Sequence, residues 1–372
     1  MNEINWNAVN ELLSDLTVSD VVPGCALSVR FKGIEVYNQA YGTAEIRPNK
    51  RMATTDTIWD LASITKVLCT AHLFLIWTNN GQIDVQDEIS TLLPHAAKGV
   101  TIQDLLSHSS GYPAWAPLYS KYKQESTWGT PAIRSDLLKR AATPSILQFL
   151  NNSYTYSDLG FLTLCAYAEA KFGKPIHILW NEYLPERAKE GLYWGHPMAA
   201  ATEDCPTRNR VVVGEVHDLN AAVLGGKSTH AGLFGTASTL SRVAEWSVDA
   251  YHGRIDEIEA ELIRYFWSYR GLGSHCLGWD TPSGEGSSAS AFWPKNGVGH
   301  LGFTGTSLWI APDEELIVAF TSNRVHPHIE GGALPNAITG PKTKAYRAFR
   351  PKLHQTILET LGLIATQGLT AG

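Results

Sequence analysis

Along the N-terminal stretch WNAVNELLSDL, apolar residues recur at Trp6, Val9, Leu12, Leu13 and Leu16. That spacing predicts an amphipathic helix. The pattern then changes: CALSVRF and IEVYNQAYG read as strands, and Lys32-Gly33 between them predicts a tight hairpin. Next comes TIWDLASITKVLCTAHLFLIW, residues 57–77, almost uniformly apolar from Val67 onward and closed by Asn79-Asn80-Gly81, a helix stop. From about 86 to 255 the pattern is helical segments and long loops rich in Pro and Gly. TSLWIAP and ELIVAFTSN predict two more strands around Asp313-Glu314, and Thr343 to Leu363 has helical periodicity. The Gly/Ser-rich GEGSSAS at 284–290 reads as a surface loop, and there is no internal repeat.

Strands at both ends and a helical middle predict an α/β (α+β) architecture. One antiparallel sheet is built from both chain ends and flanked by the terminal helices, with a helical lobe inserted. The expected boundaries are 1–85 with 256–372 for the sheet lobe and 86–255 for the mainly helical lobe. A ligand site is expected in the cleft between them.

Composition narrows the function. Hydrophobic residues make up 44% and charged residues 18%, a globular balance, and the net charge of −6 argues against nucleic-acid or anionic-membrane surfaces. The apolar run at 67–77 is too short for a membrane span and carries Thr70 and His72. The first basic residue is Arg30, so no secretory n-region is present as written. The expected location is cytoplasmic, or periplasmic or secreted if the native N-terminus has been removed. Five scattered cysteines read as reduced core thiols, and no CxxC spacing suggests a metal; no cofactor is implied.

Chemistry enters at Lys66, three residues after Ser63 at the mouth of the apolar helix. An unpaired buried charge is costly. Either Ser63 is an N-cap and Lys66 snorkels to water, or the two are a nucleophile and its base. A second S-x-x-K, Ser120 to Lys123, lies in a more polar stretch. Ser63 instead opens an apolar helix, at the positive end of its dipole. The pair alone leaves both readings open.

Two further segments belong with it: Tyr156-Ser157-Asp158 in NNSYTYSDLGF, and His300-Leu301-Gly302 leading into a strand. S-x-x-K, S-D-N and K-T-G are together the signature of class A β-lactamases and penicillin-binding proteins. With DLASITK, TIQDLLSHSSGYP, STHAGLFGTASTLSRVAEW and GFTGTSLWIAPDEELIVAFTSNRVHP, the chain resembles the serine β-lactamase-like, penicillin-recognising hydrolases over roughly residues 20–362. It stands on the class C β-lactamase and D-alanyl-D-alanine peptidase side, near esterases of the same fold.

The resemblance implies a β-lactamase/transpeptidase-like fold. By it, Ser63 is the acylated nucleophile, Lys66 its partner and Tyr156 the proton shuttle. Asp158 stands where an asparagine usually orients the substrate amide. His300 and Gly302 match the third motif, and the backbone N–H groups of Ser63 and Phe303 form the oxyanion hole. Lys66 and Tyr156 ordinarily titrate near about 10, so one must be perturbed to act as base at neutral pH. Burial lowers a lysine and a neighbouring ammonium favours phenolate. His-Leu-Gly in place of Lys-Thr-Gly weakens carboxylate anchoring, and Asp158 adds a negative charge.

Tyr112 and Trp115 follow the SSG turn, either as an aromatic wall on the substrate or as a packed loop. His108, His217, His230 and Asp60 read as structural. The expected activity is a serine acyl-enzyme hydrolase cleaving an amide or ester bond of a small peptide-like substrate, a D-amino-acid or peptidoglycan fragment. Carboxylesterase, acyl-transferase or weak β-lactamase activity is the alternative within the fold. A penicillin-binding sensor, acylated without turnover, is the alternative of a different functional class.

Overall fold

A computed structural model describes residues 4–143, 153–284, 286–330 and 340–365. Asn151 and Asn152 of the second motif's segment, and Glu285 of the Gly/Ser patch, lie outside the described residues.

The principal sheet contains β1 (Gly24–Phe31), β2 (Ile34–Glu45), β3 (Arg51–Met52), β4 (Val298–Leu301), β5 (Ser307–Ala311) and β6 (Leu316–Ser322). Their spatial order is β3-β2-β1-β6-β5-β4, antiparallel throughout. The two chain ends meet at β1 and β6, with Val29 opposite Val318. Lys32 and Gly33 both have positive φ, 51° and 79°, so the hairpin turns with the handedness that matches strand twist.

Both faces of the sheet are covered, which explains why LIVAF reads as an unbroken apolar run. Leu316, Val318 and Phe320 pack toward α1 (Asn7–Val18) and the C-terminal helix, while Ile317 and Ala319 face the larger core. Ala237–Tyr251, from within the 86–255 stretch, closes that second face. Its Ser241 hydroxyl meets Ser28 of β1 at 2.7 Å, and Glu245 pairs with Arg30 at 3.0 Å.

The apolar helix after Ser63 is less regular than its composition predicts. Ala62–Ile64 is a 3₁₀ turn, Lys66–Ala71 is π-helical, and only His72–Asn79 (α2) is an ordinary α-helix. The widened π turn carries Lys66, and such turns recur at functional sites. A small second sheet ties Trp59–Asp60 to Leu233–Gly235 and Tyr193–Trp194. It docks the approach to Ser63 onto the STHAGLFGT segment. No helix among the described residues is long and apolar enough to cross a membrane.

Candidate active site

Ser63 is held from the residue before it outward. Ala62 has a φ of 46°, which costs an L-residue about 1–2 kcal/mol. Asp60 sustains that bend, accepting the Ala62 N–H at 2.8 Å through one oxygen and the His217 N–H at 2.7 Å through the other. The third motif is stitched to the same segment. Thr304 donates to the Asp60 carbonyl at 2.7 Å and Thr306 to the Leu61 carbonyl at 3.1 Å. Gly302 has no room for a side chain, because a Cβ there would meet Thr306 and the Leu61 carbonyl. Among the described residues, neither the Ser63 nor the Phe303 N–H has an acceptor.

Lys66 is fully buried. Its Nζ donates to Ser63 Oγ at 3.1 Å, to Asp158 Oδ1 at 2.6 Å and to the His230 carbonyl at 3.4 Å. It also lies 4.9 Å from the centre of the Tyr156 ring. Burial pulls the Lys66 ammonium down, but the Asp158 carboxylate and Tyr156 together outweigh it, so the net direction is up. For Tyr156, burial raises the phenol by more than Lys66 lowers it. The resting site is therefore ammonium, carboxylate and phenol. Burial alone would favour a neutral Lys66; the Asp158 carboxylate, where an amide was the precedent, turns it the other way, and at Tyr156 burial itself is the larger influence.

Asp158 opens the helix Asp158–Phe172, with the Ser157 hydroxyl accepting the Gly160 N–H at 2.9 Å as its cap. The loop after Leu106 fixes this turn: Ser157 N–H donates to His108 Nδ1 at 2.9 Å, and Asp158 N–H to the Ala114 carbonyl at 2.8 Å. Trp115 lines the cleft. Tyr112 does not; it is 1% exposed and its hydroxyl donates to the Ala142 carbonyl at 2.8 Å, so the packed-loop reading describes it.

His300 reaches the cleft as a neutral acceptor. Its Nδ1–H donates to the Leu301 carbonyl at 2.8 Å, leaving a lone pair on Nε2, which is buried without a partner. Burial, then Lys66 and His275, hold its pKa well below the usual histidine value. In this neutral form the unpartnered Nε2 offers a substrate carboxylate no N–H donor.

His108, His275 and His300 approach within 4.8 Å of one another, as metal ligands do. The Ser157 N–H, however, occupies the single lone pair of neutral His108, so the three cannot converge on one ion. In a second cluster of Asp158, Asp218 and His230, the cation next to Asp158 is the Lys66 ammonium itself.

The cleft encloses about 530 Å³. Its walls also include residues that motif reading did not assign: Tyr154, whose hydroxyl lies 2.7 Å from His275 Nδ1, and Asp218, paired with His230 at 2.9 Å. His217, expected to be structural, stacks on Phe303 at 5.6 Å. No local sequence signal marks these residues; separate segments bring them together.

The sequence profile of the family described as Beta-lactamase matches residues 9–338. The chain belongs to that family. It is a serine hydrolase of the β-lactamase-like type, with the antiparallel sheet and flanking helices of that fold. It is 27% identical over 342 residues to an N-acetylmuramyl-L-alanine amidase of Bacillus subtilis (strain 168), covering 82% of this chain and 76% of that protein. It is 26% identical over 366 residues to a putative D-alanyl-D-alanine carboxypeptidase of Escherichia coli (strain K12), covering 82% and 81%. Among solved structures, the octameric penicillin-binding protein homologue from Pyrococcus abyssi is similar in fold. Its TM-score is 0.68 at 17% identity, over 96% of this chain and 78% of that one.

Proposed function

We propose that Ser63 is acylated by an amide or ester of a small peptide-like substrate, with Lys66, Asp158 and Tyr156 as one acid–base unit. The observation that carries this is Lys66 Nζ bridging Ser63 Oγ at 3.1 Å and Asp158 Oδ1 at 2.6 Å. In the resting pair the carboxylate is the open basic site. Lys66 passes a proton to Asp158 as it takes the one on Ser63 Oγ. The Ser63 oxygen bonds to the substrate carbonyl carbon, and the Ser63 and Phe303 N–H groups receive the developing oxyanion; each such donor is worth roughly 3–4 kcal/mol. The leaving nitrogen or oxygen departs with a proton from the same unit, through Lys66 or Tyr156. Water then releases the acid and restores Ser63.

The amidase and carboxypeptidase relatives support a D-amino-acid amide or peptidoglycan fragment as substrate. A carboxylesterase or acyl-transferase reading has one observation in its favour, the neutral His300 that makes no demand for a carboxylate. Five buried free cysteines support a reducing, cytoplasmic setting. A fluorophosphonate should add one mass equivalent, mapped to the Ser63 peptide and absent in Ser63→Ala. Labelling at Ser120, or none on folded protein, would sink the assignment.

A further inference from the structure

Phe303 stands half-exposed in the cleft, and the acyl-enzyme chemistry uses only its backbone N–H. That N–H is open because of the turn that carries it. Gly305 N–H donates to the Gly302 carbonyl at 3.0 Å, which makes Phe303 the second residue of a four-residue turn. Gly302 N–H closes the base of the turn on the Thr306 carbonyl at 2.7 Å. A turn tied at its ends leaves the tilt of its central peptides to whatever grips the side chains there. Thr304 is gripped through its hydroxyl, which donates to the Asp60 carbonyl at 2.7 Å.

Phe303 is gripped through its ring and its carbonyl. The His217 imidazole lies nearly parallel to the ring, 18° between planes with centres 5.6 Å apart. The Arg324 guanidinium lies 5.5 Å from the ring centre, and its Nη2 donates to the Phe303 carbonyl at 2.7 Å. His217 comes from a distant segment and is itself held at several points. Its backbone N–H donates to Asp60 Oδ2 at 2.7 Å, and its Nε2 lies 3.2 Å from Glu203 Oε2. Its carbonyl accepts from Arg208 Nη2 at 3.3 Å. The other Asp60 oxygen takes the Ala62 N–H at 2.8 Å, one residue before Ser63. Asp60 is only 2% exposed, so a single buried carboxylate sets both the backbone entering Ser63 and the segment whose ring backs Phe303.

We infer that His217 is a positioning residue of the oxyanion hole: its ring braces Phe303, so that the Phe303 and Ser63 N–H groups converge on one oxygen. This role rests on the oxyanion hole proposed above and deepens it. Two N–H donors stabilise an oxyanion only when both stand at hydrogen-bond length from the place where it forms, and a rigid support spares them reorganisation at that moment. Asp60 ties the brace to the Ser63 side of the hole. His217 acts through Phe303 and takes no proton from the reaction.

The test follows two readouts of the hole. They are the rate of Ser63 labelling by a fluorophosphonate and the dissociation constant of phenylboronic acid, whose boron bonds to Ser63 Oγ and places a boronate oxygen between the donors. His217→Ala removes the brace and should slow labelling and weaken the boronate about tenfold each, the upper worth of one aromatic pair. His217→Phe keeps a stacking ring without the contact to Glu203, and should recover both to within about threefold of the wild type. In Gly302→Ala a methyl group against the Leu61 carbonyl already displaces the Phe303 N–H, so adding His217→Ala should cost less than about twofold more. Equal losses in His217→Ala and His217→Phe would mean that the imidazole works through its nitrogens, and would overturn the brace. Unchanged labelling in His217→Ala overturns it too, as does a further tenfold loss on top of Gly302→Ala. A wild type left unlabelled at Ser63 removes the acyl-enzyme itself, whereas a labelled wild type with insensitive His217 variants removes only the brace.

Discussion

At the scale of single residues, the site turns on Asp158. An asparagine there would leave Lys66 governed by burial and hence more easily neutral; the carboxylate instead holds it as an ammonium, 2.6 Å away. In Asp158→Asn the charge that raises Lys66 is gone, so the Lys66 amine should titrate at lower pH than in the wild type. Where Asp158 takes the proton from Lys66, the rate at pH 7 should fall by about 10²–10⁴, the range for lost acid–base groups. A pH–rate profile for ester hydrolysis checks both. A rate at pH 7 within about twofold of the wild type would show that Asp158 only tethers Lys66 and takes no proton.

At the scale of elements, the reactive centre is a junction between the third-motif strand and the turn before Ser63. Gly302 is where the two backbones touch, and a methyl group there has the Leu61 carbonyl 2.8 Å away. Gly302→Ala should displace the Phe303 N–H and slow fluorophosphonate labelling about 10²–10³-fold, as the loss of one oxyanion donor does. Its far-ultraviolet circular dichroism should stay native. Unchanged labelling would remove the Phe303 N–H from the chemistry. This junction was partly legible in the sequence, because S-x-x-K and H-L-G each announce themselves within a few residues. Lys32-Gly33 was legible for the same reason, since a two-residue hairpin turn needs positive φ at both positions. The 3₁₀ and π turns around Ser63 were not: apolar composition gives a helix but not its hydrogen-bond register. Strands such as Trp59–Asp60 are too short to show a period. Arg324 and Arg350, which both line the cleft beside Tyr346, escaped because they belong to different elements.

At the scale of the whole molecule, layers close over histidines that must stay neutral. His72 sits between α2 and the helix Ala237–Tyr251, 2.8 Å from Ser247 Oγ and 5.0 Å from the Trp246 ring. His354 lies between the C-terminal helix and the sheet, against Trp293 at 5.1 Å, donating from Nδ1 to the Ser288 carbonyl at 3.0 Å. Burial lowers His72 to about 3 and, with Arg350 adding to burial against the Ser288 bond, His354 to about 4. Above the unfolded-state value of about 6.5 neither state is protonated, so these groups leave stability unchanged there. Below it the unfolded chain binds protons that the native one refuses, so stability falls with pH until the native values are reached. At about 1.4 kcal/mol per unit, each histidine removes about 2 kcal/mol by pH 5. Two such losses matter against a total of roughly 5–15 kcal/mol. Asp218, held near 2 by its His230 partner against the pull of burial, contributes its stability in full above the ordinary carboxylate value of about 3.9 and loses it only as pH falls from there, so it plays no part between pH 6.5 and 5. The urea midpoint should thus drop steeply between pH 6.5 and 5. In the double variant His72→Met, His354→Phe the slope should flatten by about two protons, while the pH 7 midpoint falls because the Ser247 hydroxyl and the Ser288 carbonyl each lose a partner. An equal slope in both proteins would mean that acid attacks elsewhere, and that these two histidines charge in the native state.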